Sequence, residues 1–253
     1  LELGCKRMSE QMLKVVGLGP GSEALLAPAA LAALKWCDVA VGYSVYTDQV
    51  RALFPEKEIF TTPMTREVER CRAALQLAQS GRRVAMVCSG DAGVYGMAGP
   101  ILELAPAYPG VQVEVIPGLT AALSGAAVLG APLMNDWCVI SLSDHLTPWS
   151  VIEKRLQAAA MGDFALCLYN PMSRQRPGHL RRACEILLAA GKPADTVCGW
   201  VQNIGRKGQK HRLLTLAQLQ NETVDMFTTV FIGNAFTQNC AGRMVTARGY
   251  NTQ

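Results

Sequence analysis

The sequence predicts an α/β protein with two domains, an N-terminal domain on a parallel sheet with helices on both faces and a C-terminal domain on a mixed sheet. In the first half of the chain, strand-like apolar runs alternate with helical patterns over short connections, which is typical of a parallel sheet. Between Val197 and Ile232 strand patterns follow one another with little helix, which favours partly antiparallel pairing. Glycine-rich turns follow several of the strand-like runs.

The N-terminal domain is predicted to contain five strands, at residues 13–17, 38–41, 58–61, 83–88 and 113–116. Helices are predicted from near Pro28, over residues 68–80 and over residues 120–129. The sequence Gly130-Ala131-Pro132 then indicates a domain boundary. We therefore expect domains at 12–131 and 132–253, with residues 1–11 as a leader or linker remnant.

The C-terminal domain is predicted to contain strands at residues 138–142, 164–169, 197–201, 212–214 and 229–232. One helix is expected to start at Thr147-Pro148, with Thr147 as N-cap and Pro148 at the first helical position, and to run to about residue 160. Another is expected over residues 179–190, ended by Gly191.

Composition narrows the class of protein. The chain has 253 residues, half of them hydrophobic, and a net charge of +4, which is too small to argue for nucleic acid. No apolar run is long enough to span a bilayer, so no membrane partner is expected. The nine cysteines form no Cys-x-x-Cys, and the three histidines are scattered, so we expect reduced, buried thiols in a cytoplasmic protein and no metal site.

The turn Gly17-Leu18-Gly19-Pro20-Gly21 indicates a small-molecule cofactor at the carboxyl end of the first strand. Its glycines would let the backbone turn sharply and let a ligand approach it, and the alternative is a purely structural strand-to-helix turn. It differs from the dinucleotide fingerprint, because Pro20 has no amide hydrogen and the second strand ends in Gly42-Tyr43 rather than an acidic residue. A nicotinamide or flavin site is therefore disfavoured.

Further turns of this kind follow other strands, at residues 89–96, 117–122 and 169–171. In the first of them, Asp91 either fixes an Asx-turn or accepts hydrogen bonds from a ligand. In the second, Thr120 either caps a helix or also touches the ligand. Several such turns at strand ends predict a shared binding site.

Together the segments 17–21, 89–96 and 117–122 resemble the tetrapyrrole (corrin/porphyrin) methylases, S-adenosylmethionine-dependent enzymes of cobalamin and sirohaem synthesis. The resemblance covers about residues 12 to 250. The segments 41–46, 140–149, 151–155, 168–171, 206–207 and 248–250 are similar to the branch that methylates C17. The resemblance implies methyl transfer with ring contraction, from precorrin-3B or cobalt-factor III to precorrin-4 or its cobalt counterpart. It also implies two α/β domains with the active-site cleft between them, in a homodimer.

The resemblance also implies which residues contact S-adenosyl-L-methionine. These are Pro20, Ser89, Gly90, Asp91, Val94, Thr120 and Ala121, with Tyr169 and Asn170 closing the pocket from the second domain. The chain departs from the family pattern twice. It has Ser89-Gly90-Asp91 where relatives often have Gly-Gly-Asp, and His145 where some C17 methylases have Leu.

Methyl transfer from a sulfonium requires positioning rather than a nucleophile triad. A large macrocycle fringed with carboxylates needs a cationic rim, for which the candidates are Arg174, Arg176, Arg206 and Lys207. The segment 206–212 is also compatible with a solvated hairpin loop. Acid–base or orienting groups for ring contraction are sought among Ser143, Asp144, His145 and Thr147. The alternatives are helix capping for Thr147 and a polar loop for Asp144 and His145.

Three competing functions stay open. One is a related methylase of the same fold that acts on another corrin position or on another substrate; a methylase of RNA ribose or protein would share the cofactor turns but lack the segments 141–144 and 147–149. A non-catalytic tetrapyrrole carrier would need no S-adenosylmethionine pocket. A nicotinamide oxidoreductase is weakened by Pro20 and by the missing acidic residue.

Overall fold

A computed structural model of the chain describes residues 11–63 and 65–250. It divides into two compact units, Leu1–Thr120 and Ala121–Gln253. The division comes before the boundary expected between residues 131 and 132, because helix α5 (Ala121–Leu129) packs on the second unit's sheet. A Cβ at Gly125 of this helix would lie 2.9 Å from the ring of Phe231. The leader predicted at 1–11 lies outside the described residues except for Gln11.

The first unit is built on a five-stranded parallel sheet, as predicted, and its strand order is β3-β2-β4-β1-β5. Its strands are β1 (Met12–Gly17), β2 (Val39–Tyr43), β3 (Glu58–Thr62), β4 (Val84–Cys88) and β5 (Gln112–Ile116). Its helices are α1 (Pro28–Trp36), α2 (Ser44–Leu53), α3 (Glu67–Gln79) and α4 (Ala98–Leu104). Helices lie between the strands as the alternating pattern predicts, although neither α2 nor α4 was predicted with residue bounds.

Helices cover both faces of this sheet. Val16 faces α1 and α2 and packs with Leu34 and Val50, while its neighbour Val15 faces α3 and α4 and packs with Leu75. Successive side chains of a strand point to opposite faces, so a strand covered on both faces must be apolar throughout. This explains the unbroken apolar run that the sequence shows in β4, all of whose residues are buried.

The second unit is built on a mixed sheet of order β10-β9-β11-β8-β7. Only β7 and β8 pair in parallel, and the other neighbours are antiparallel, as the helix-poor segment predicts. The strands are β7 (Trp137–Ser141), β8 (Ala165–Tyr169), β9 (Val197–Gln202), β10 (Lys210–Thr215) and β11 (Thr228–Ile232). The short strands β6 (Gly130–Ala131), β12 (Thr237–Cys240) and β13 (Arg243–Thr246) form a small separate sheet.

Helices α6 (Trp149–Met161), α7 (His179–Ala189) and α8 (Leu216–Leu219) cover one face of this sheet, and α5 packs on the other. The prediction for the start of α6 is wrong at its first residues. Pro148 is the cap residue rather than the first helical residue, since its ψ of 141° is extended and its carbonyl accepts from Val151 and Ile152. Thr147 precedes the cap and does not cap the helix with its side chain.

The described cysteines are free thiols, and most of them are buried in the two cores. Burial raises the pKa of the Cys88 thiol to about 11 and that of Cys184 to about 12. Such thiols stay protonated and pack as small hydrophobic side chains. Within residues 11–63 and 65–250, no helix combines the length and apolar character needed to cross a membrane.

Candidate functional site

The carboxyl ends of β1, β4 and β5 lie side by side at one edge of the first unit's sheet. The chain leaves β1 toward β2 on one side and leaves β4 toward β5 on the other. Open α/β sheets bind ligands where neighbouring strands connect in opposite directions like this. The three loops that follow these strands contain the first-unit residues predicted to contact the cofactor.

The loops after β1 and β4 are joined through their backbones. Gly19 donates to the Gly90 carbonyl at 3.0 Å, and Gly90 donates to the Gly19 carbonyl at 2.8 Å. One residue earlier, Leu18 donates to the Cys88 carbonyl at 2.9 Å. The loops after β1 and β4 are therefore held together by backbone hydrogen bonds, independently of any ligand.

The loop after β5 joins the same contact. A Cβ on Gly118 would lie 2.2 Å from the Gly90 oxygen and 2.6 Å from the Gly17 oxygen. A Cβ on Gly17 would lie 2.6 Å from the same Gly90 oxygen. We call Gly17, Gly19, Gly90 and Gly118 the loop junction. At Gly17 and Gly118 the neighbouring backbone requires glycine, so the structural role is present in the first turn, and ligand approach there stays a prediction.

Asp91 links the same loops with its side chain. Its Oδ1 accepts from the Gly93 amide at 2.8 Å, and its Oδ2 accepts from the Gly118 amide at 2.9 Å. The turn-fixing role, one of the two alternatives considered for Asp91, is therefore present in the structure. Each carboxylate oxygen has a further lone pair, so a ligand contact remains a prediction.

The other first-unit candidates lie at this edge as well. Pro20 is buried, whereas Ser89, Val94 and Thr120 are partly buried. The structure also places Tyr95 here, with a left-handed backbone (φ +53°) and a side chain that is 57 % exposed. Sequence reasoning did not single out Tyr95, because nothing in its sequence context predicts a strained backbone.

In the second unit, Tyr169 and Asn170 follow β8. The Tyr169 hydroxyl accepts from the Ala122 amide at 2.8 Å and so satisfies one donor of the first turn of α5, which Ala121 begins. Asn170 has a left-handed backbone (φ +51°), and its Nδ2 donates to Ser141 Oγ at 3.0 Å. Both residues thus hold their own unit together, and their contact with a cofactor stays a prediction.

The loops after β7 and β8 bring four polar residues together, Ser143, Asp144, Arg176 and His179, which we call the charged cluster. His179 Nε2 lies 3.1 Å from Asp144 Oδ2, and Arg176 Nη1 lies 3.8 Å from Asp144 Oδ1. Arg176 Nη1 also donates to Ser143 Oγ. The hydrogen bond from His179, with the nearby Arg176 charge, holds the pKa of Asp144 below its usual value. Asp144 is therefore ionised at neutral pH.

His179 was missed as a site residue. The sequence shows it only as the first residue of a helix, far along the chain from Asp144. The parallel pairing of β7 with β8, in which Ser141 lies opposite Tyr169, brings the two loops together. Knowledge of the strand order would have been needed to find this pair.

The His179 ring is held by packing. It lies edge-on to the Trp149 ring, with centroids 4.7 Å apart, and the Arg182 guanidinium stacks over that indole at 4.5 Å. The Trp149 Nε1 is buried without a hydrogen-bond partner among the described residues. Trp149 and Arg182 therefore support the charged cluster from the first turns of α6 and α7.

The remaining candidates are not drawn into the charged cluster. His145 and Arg174 are exposed, and neither side chain makes a hydrogen bond or ion pair with residues 11–63 or 65–250. Thr147 is partly buried. Arg206 stacks over Phe227 at 5.7 Å, and Lys207 next to it is exposed.

All four predicted rim residues nevertheless lie at one edge of the second sheet. Strands β8 and β9 both run antiparallel to β11, so their carboxyl ends point the same way. The loop after β8 contains Arg174 and Arg176, and the loop after β9 contains Arg206 and Lys207. The described residues contain no group of three or more His, Cys, Asp or Glu side chains suited to a metal ion.

Comparison with known proteins agrees with this geometry. Residues 12–220 match the family model described as Tetrapyrrole (Corrin/Porphyrin) Methylases. A protein of Salmonella typhimurium named probable cobalt-factor III C(17)-methyltransferase is 51% identical over 240 residues, covering 94% of this chain and 99% of that protein.

Solved structures are similar over most of the chain. The crystal structure of the methyltransferase CobJ superposes with a TM-score of 0.88 at 37% identity, covering 93% of this chain and 99% of that one. The uroporphyrin-III C-methyltransferase of Thermus thermophilus, solved with S-adenosyl homocysteine, has a TM-score of 0.71 at 22% identity, covering 88% of this chain and 97% of that one. The second likeness shows a shared fold.

Proposed function

The chain belongs to the tetrapyrrole (corrin/porphyrin) methylases, and from this premise we propose that it transfers a methyl group from S-adenosylmethionine to C17 of cobalt-factor III or precorrin-3B, with ring contraction, in cobalamin biosynthesis. The observation that carries this proposal is the 51% identity, over nearly the full length of both chains, to a probable cobalt-factor III C(17)-methyltransferase. The family membership makes the chain a methyltransferase, and the substrate and its C17 position are the proposal.

The first unit's loop edge is suited to the methyl donor. Asp91 and the loop junction fix three strand-end loops, so that Ser89, Val94 and Thr120 are presented on a rigid frame. Such an edge, lined by backbone and small side chains, fits an adenosyl ligand. When bound, S-adenosylmethionine supplies a methyl group already activated on a sulfonium. The protein then needs mainly to align its ligands, which can contribute about 7–11 kcal/mol to lowering the barrier.

The second unit's loop edge is suited to a flat anionic macrocycle. Arg174, Arg176 and Lys207 are cations that can contact carboxylates, and Arg206 adds a guanidinium stacked on Phe227. The side chains of Leu146, Met226 and Phe227 are exposed in loops at this edge. Exposed apolar groups surrounded by cations match a ring system that carries acidic side chains.

Within the charged cluster, Asp144 is suited to orienting neighbours rather than to donating a proton. Its pKa is lowered, so it is ionised at neutral pH and poorly basic. Ser143, His145 and Thr147 remain candidates for proton movement during ring contraction. We also propose a homodimer and a cytoplasmic location, the first on the family resemblance and the second on the free, buried thiols.

The test is to incubate the protein with S-adenosylmethionine and, separately, with precorrin-3B and cobalt-factor III, and to determine product masses and the methylated position. We expect one methyl group at C17 on at least one of the two macrocycles. Methylation at another position would reassign the substrate, and macrocycle binding without transfer would indicate a carrier. Light scattering measures the oligomeric state in the same samples.

A further inference from the structure

We propose that Asp144 and His179 are positioning residues that orient the Arg176 guanidinium to bind a carboxylate of the macrocycle. This inference rests on the proposed function, since it concerns recognition of that substrate. It assigns a role to His179, which neither the glycine-rich turns nor the predicted rim residues include.

The Asp144 carboxylate is held in place by its neighbours. Its carboxylate is 39 % exposed, yet one oxygen lies 3.1 Å from His179 Nε2. The His179 side chain is only 18 % exposed and lies against Trp149, which Arg182 covers in turn. A ring held in this way keeps its Nε2 directed at Asp144, so the carboxylate has a fixed orientation despite its exposure.

The Arg176 guanidinium is held by residues of the loops after β7 and β8. Its Nε donates to Ser173 Oγ at 3.2 Å, and its Nη1 donates to Ser143 Oγ and lies 3.8 Å from Asp144 Oδ1. Its Nη2 makes no hydrogen bond or ion pair with a residue that the structure describes. The guanidinium is therefore held at two of its three nitrogens, and the third, Nη2, remains available for a ligand.

The Nη2 of Arg176 is chemically suited to a carboxylate ligand. A guanidinium forms strong, directional hydrogen bonds with carboxylates, and a pre-oriented one loses little side-chain entropy on binding. Asp144 balances only part of the local positive charge, because exposed Arg174 lies in the same tight turn, closed by Ser173 and Arg176. The charged cluster therefore still attracts an anion, and Asp144 orients the Arg176 guanidinium without cancelling the positive charge.

The experiment compares His179→Phe, which keeps a ring but removes the donor, with His179→Gln, which keeps a side-chain donor. We expect His179→Phe to raise KM for the macrocycle about tenfold with kcat changed less than about twofold, because an interaction with a charged group is lost in binding. We expect His179→Gln to recover most of the loss. Asp144→Asn should behave like His179→Phe.

A matched pair on the arginines serves as control. Arg176→Lys should raise KM, whereas Arg181→Lys, on the exposed side of α7 with only a 3.4 Å hydrogen bond to Asn221, should leave both constants unchanged. Binding of uroporphyrin, a carboxylate-rich tetrapyrrole, is measured for all variants by fluorescence and should follow the same order. Binding of S-adenosylhomocysteine should be equal in all of them.

Equal losses in His179→Phe and His179→Gln, or a fall in kcat at unchanged KM, would overturn the positioning role. If His179→Phe does not fold, Asp144→Asn and Arg176→Lys decide the question, and wild-type uroporphyrin affinity in both would overturn it. Failure of the wild-type protein to methylate either macrocycle is a different result. It would overturn the proposed function, while the uroporphyrin series would still report on Arg176.

Discussion

At the scale of single residues, Asp91 shows how a candidate ligand contact can also be a structural one. Its two oxygens accept from the amides of Gly93 and Gly118, which belong to different loops. A carboxylate that bridges two backbone segments contributes to stability and to the shape of the site at once. Its effects on stability and on binding must therefore be measured together.

We expect Asp91→Ala to lower the free energy of unfolding by about 2 kcal/mol, because two backbone donors lose a charged acceptor. The same variant should bind S-adenosylhomocysteine at least about tenfold more weakly, since the loops are no longer joined. Urea unfolding and calorimetry measure the two quantities. Asp91→Asn keeps one acceptor and should show about half of the stability loss. Unchanged binding in both variants would remove Asp91 from the site.

The sequence predicted contacts that depend on local patterns, but it did not predict contacts that depend on which strands are neighbours. The glycine-rich turns and Asp91 could be predicted because a strand followed by glycine is a local pattern. The contact between Asp144 and His179 could not, because it depends on which strands become neighbours. The N-cap of α6 was predicted wrongly, because a Thr-Pro pair is compatible with a cap at either residue. The extended backbone of Pro148 makes Pro148 the cap.

At the scale of elements, the order of the strands determines which turns lie next to one another. Parallel strands β1, β4 and β5 end at one edge, so three turns distant in sequence meet there. The predicted strands and most helices agree with the structure because their apolar periodicity is strong. The bounds of the short helix α4 could not be predicted, since Gly99 and Pro100 in its first turn weaken the helical pattern.

Gly118→Ala tests the meeting of these turns. The new Cβ would lie 2.2 Å from the Gly90 oxygen, so the loops must separate. We expect a loss of about 2 kcal/mol or more in stability and a weakened affinity for S-adenosylhomocysteine. Gly99→Ala in α4 is the control, because its Cβ would meet no atom within 4 Å and alanine favours helix by up to about 1 kcal/mol. Equal melting temperatures for Gly118→Ala and wild type would contradict the close contact.

The opposite edge of the first sheet offers a test of electrostatics. Asp38, just before β2, accepts from the backbone and the guanidinium of Arg83, just before β4, and this lowers the pKa of Asp38. Ionised Asp38 therefore stabilises the fold above its unfolded-state pKa, and the contribution disappears as the pH falls below the usual 3.8. In urea unfolding, Asp38→Asn should be less stable than wild type at pH 7, with a smaller difference at pH 3. A constant difference would contradict this.

At the scale of the whole molecule, the chain comprises two units with different kinds of sheet. The first unit has an all-parallel sheet whose edge carries the loops proposed to bind the methyl donor, and the second has a mixed sheet whose edge carries the predicted cationic residues. Fold class could be predicted from strand and helix alternation alone. The division at Thr120 could not, because α5 follows a turn of one unit yet packs on the sheet of the other.

Ligand-induced stabilisation tests the assignment of the donor site to the first unit. At a concentration one hundred times its Kd, S-adenosylhomocysteine should stabilise the folded state by about 2.7 kcal/mol. We expect the resulting rise in melting temperature to be reduced in Asp91→Ala and retained in His179→Phe. Calorimetric scans measure it. An equal rise in both variants, or its loss in His179→Phe alone, would place the donor elsewhere.

The loop junction also has a dynamic consequence. Gly90 is hydrogen-bonded to Gly19 and lies against Gly118, and Asp91 accepts from the amides of Gly93 and Gly118. The loops after β1, β4 and β5 are therefore linked through the β4 loop, so outward movement of one loop must break contacts with another. Deuterium uptake at the amides of Gly90, Gly93 and Gly118 should therefore proceed at one common rate, as a single cooperative opening. Binding and release of the methyl donor would then depend on this one opening, and not on independent movements of the three loops.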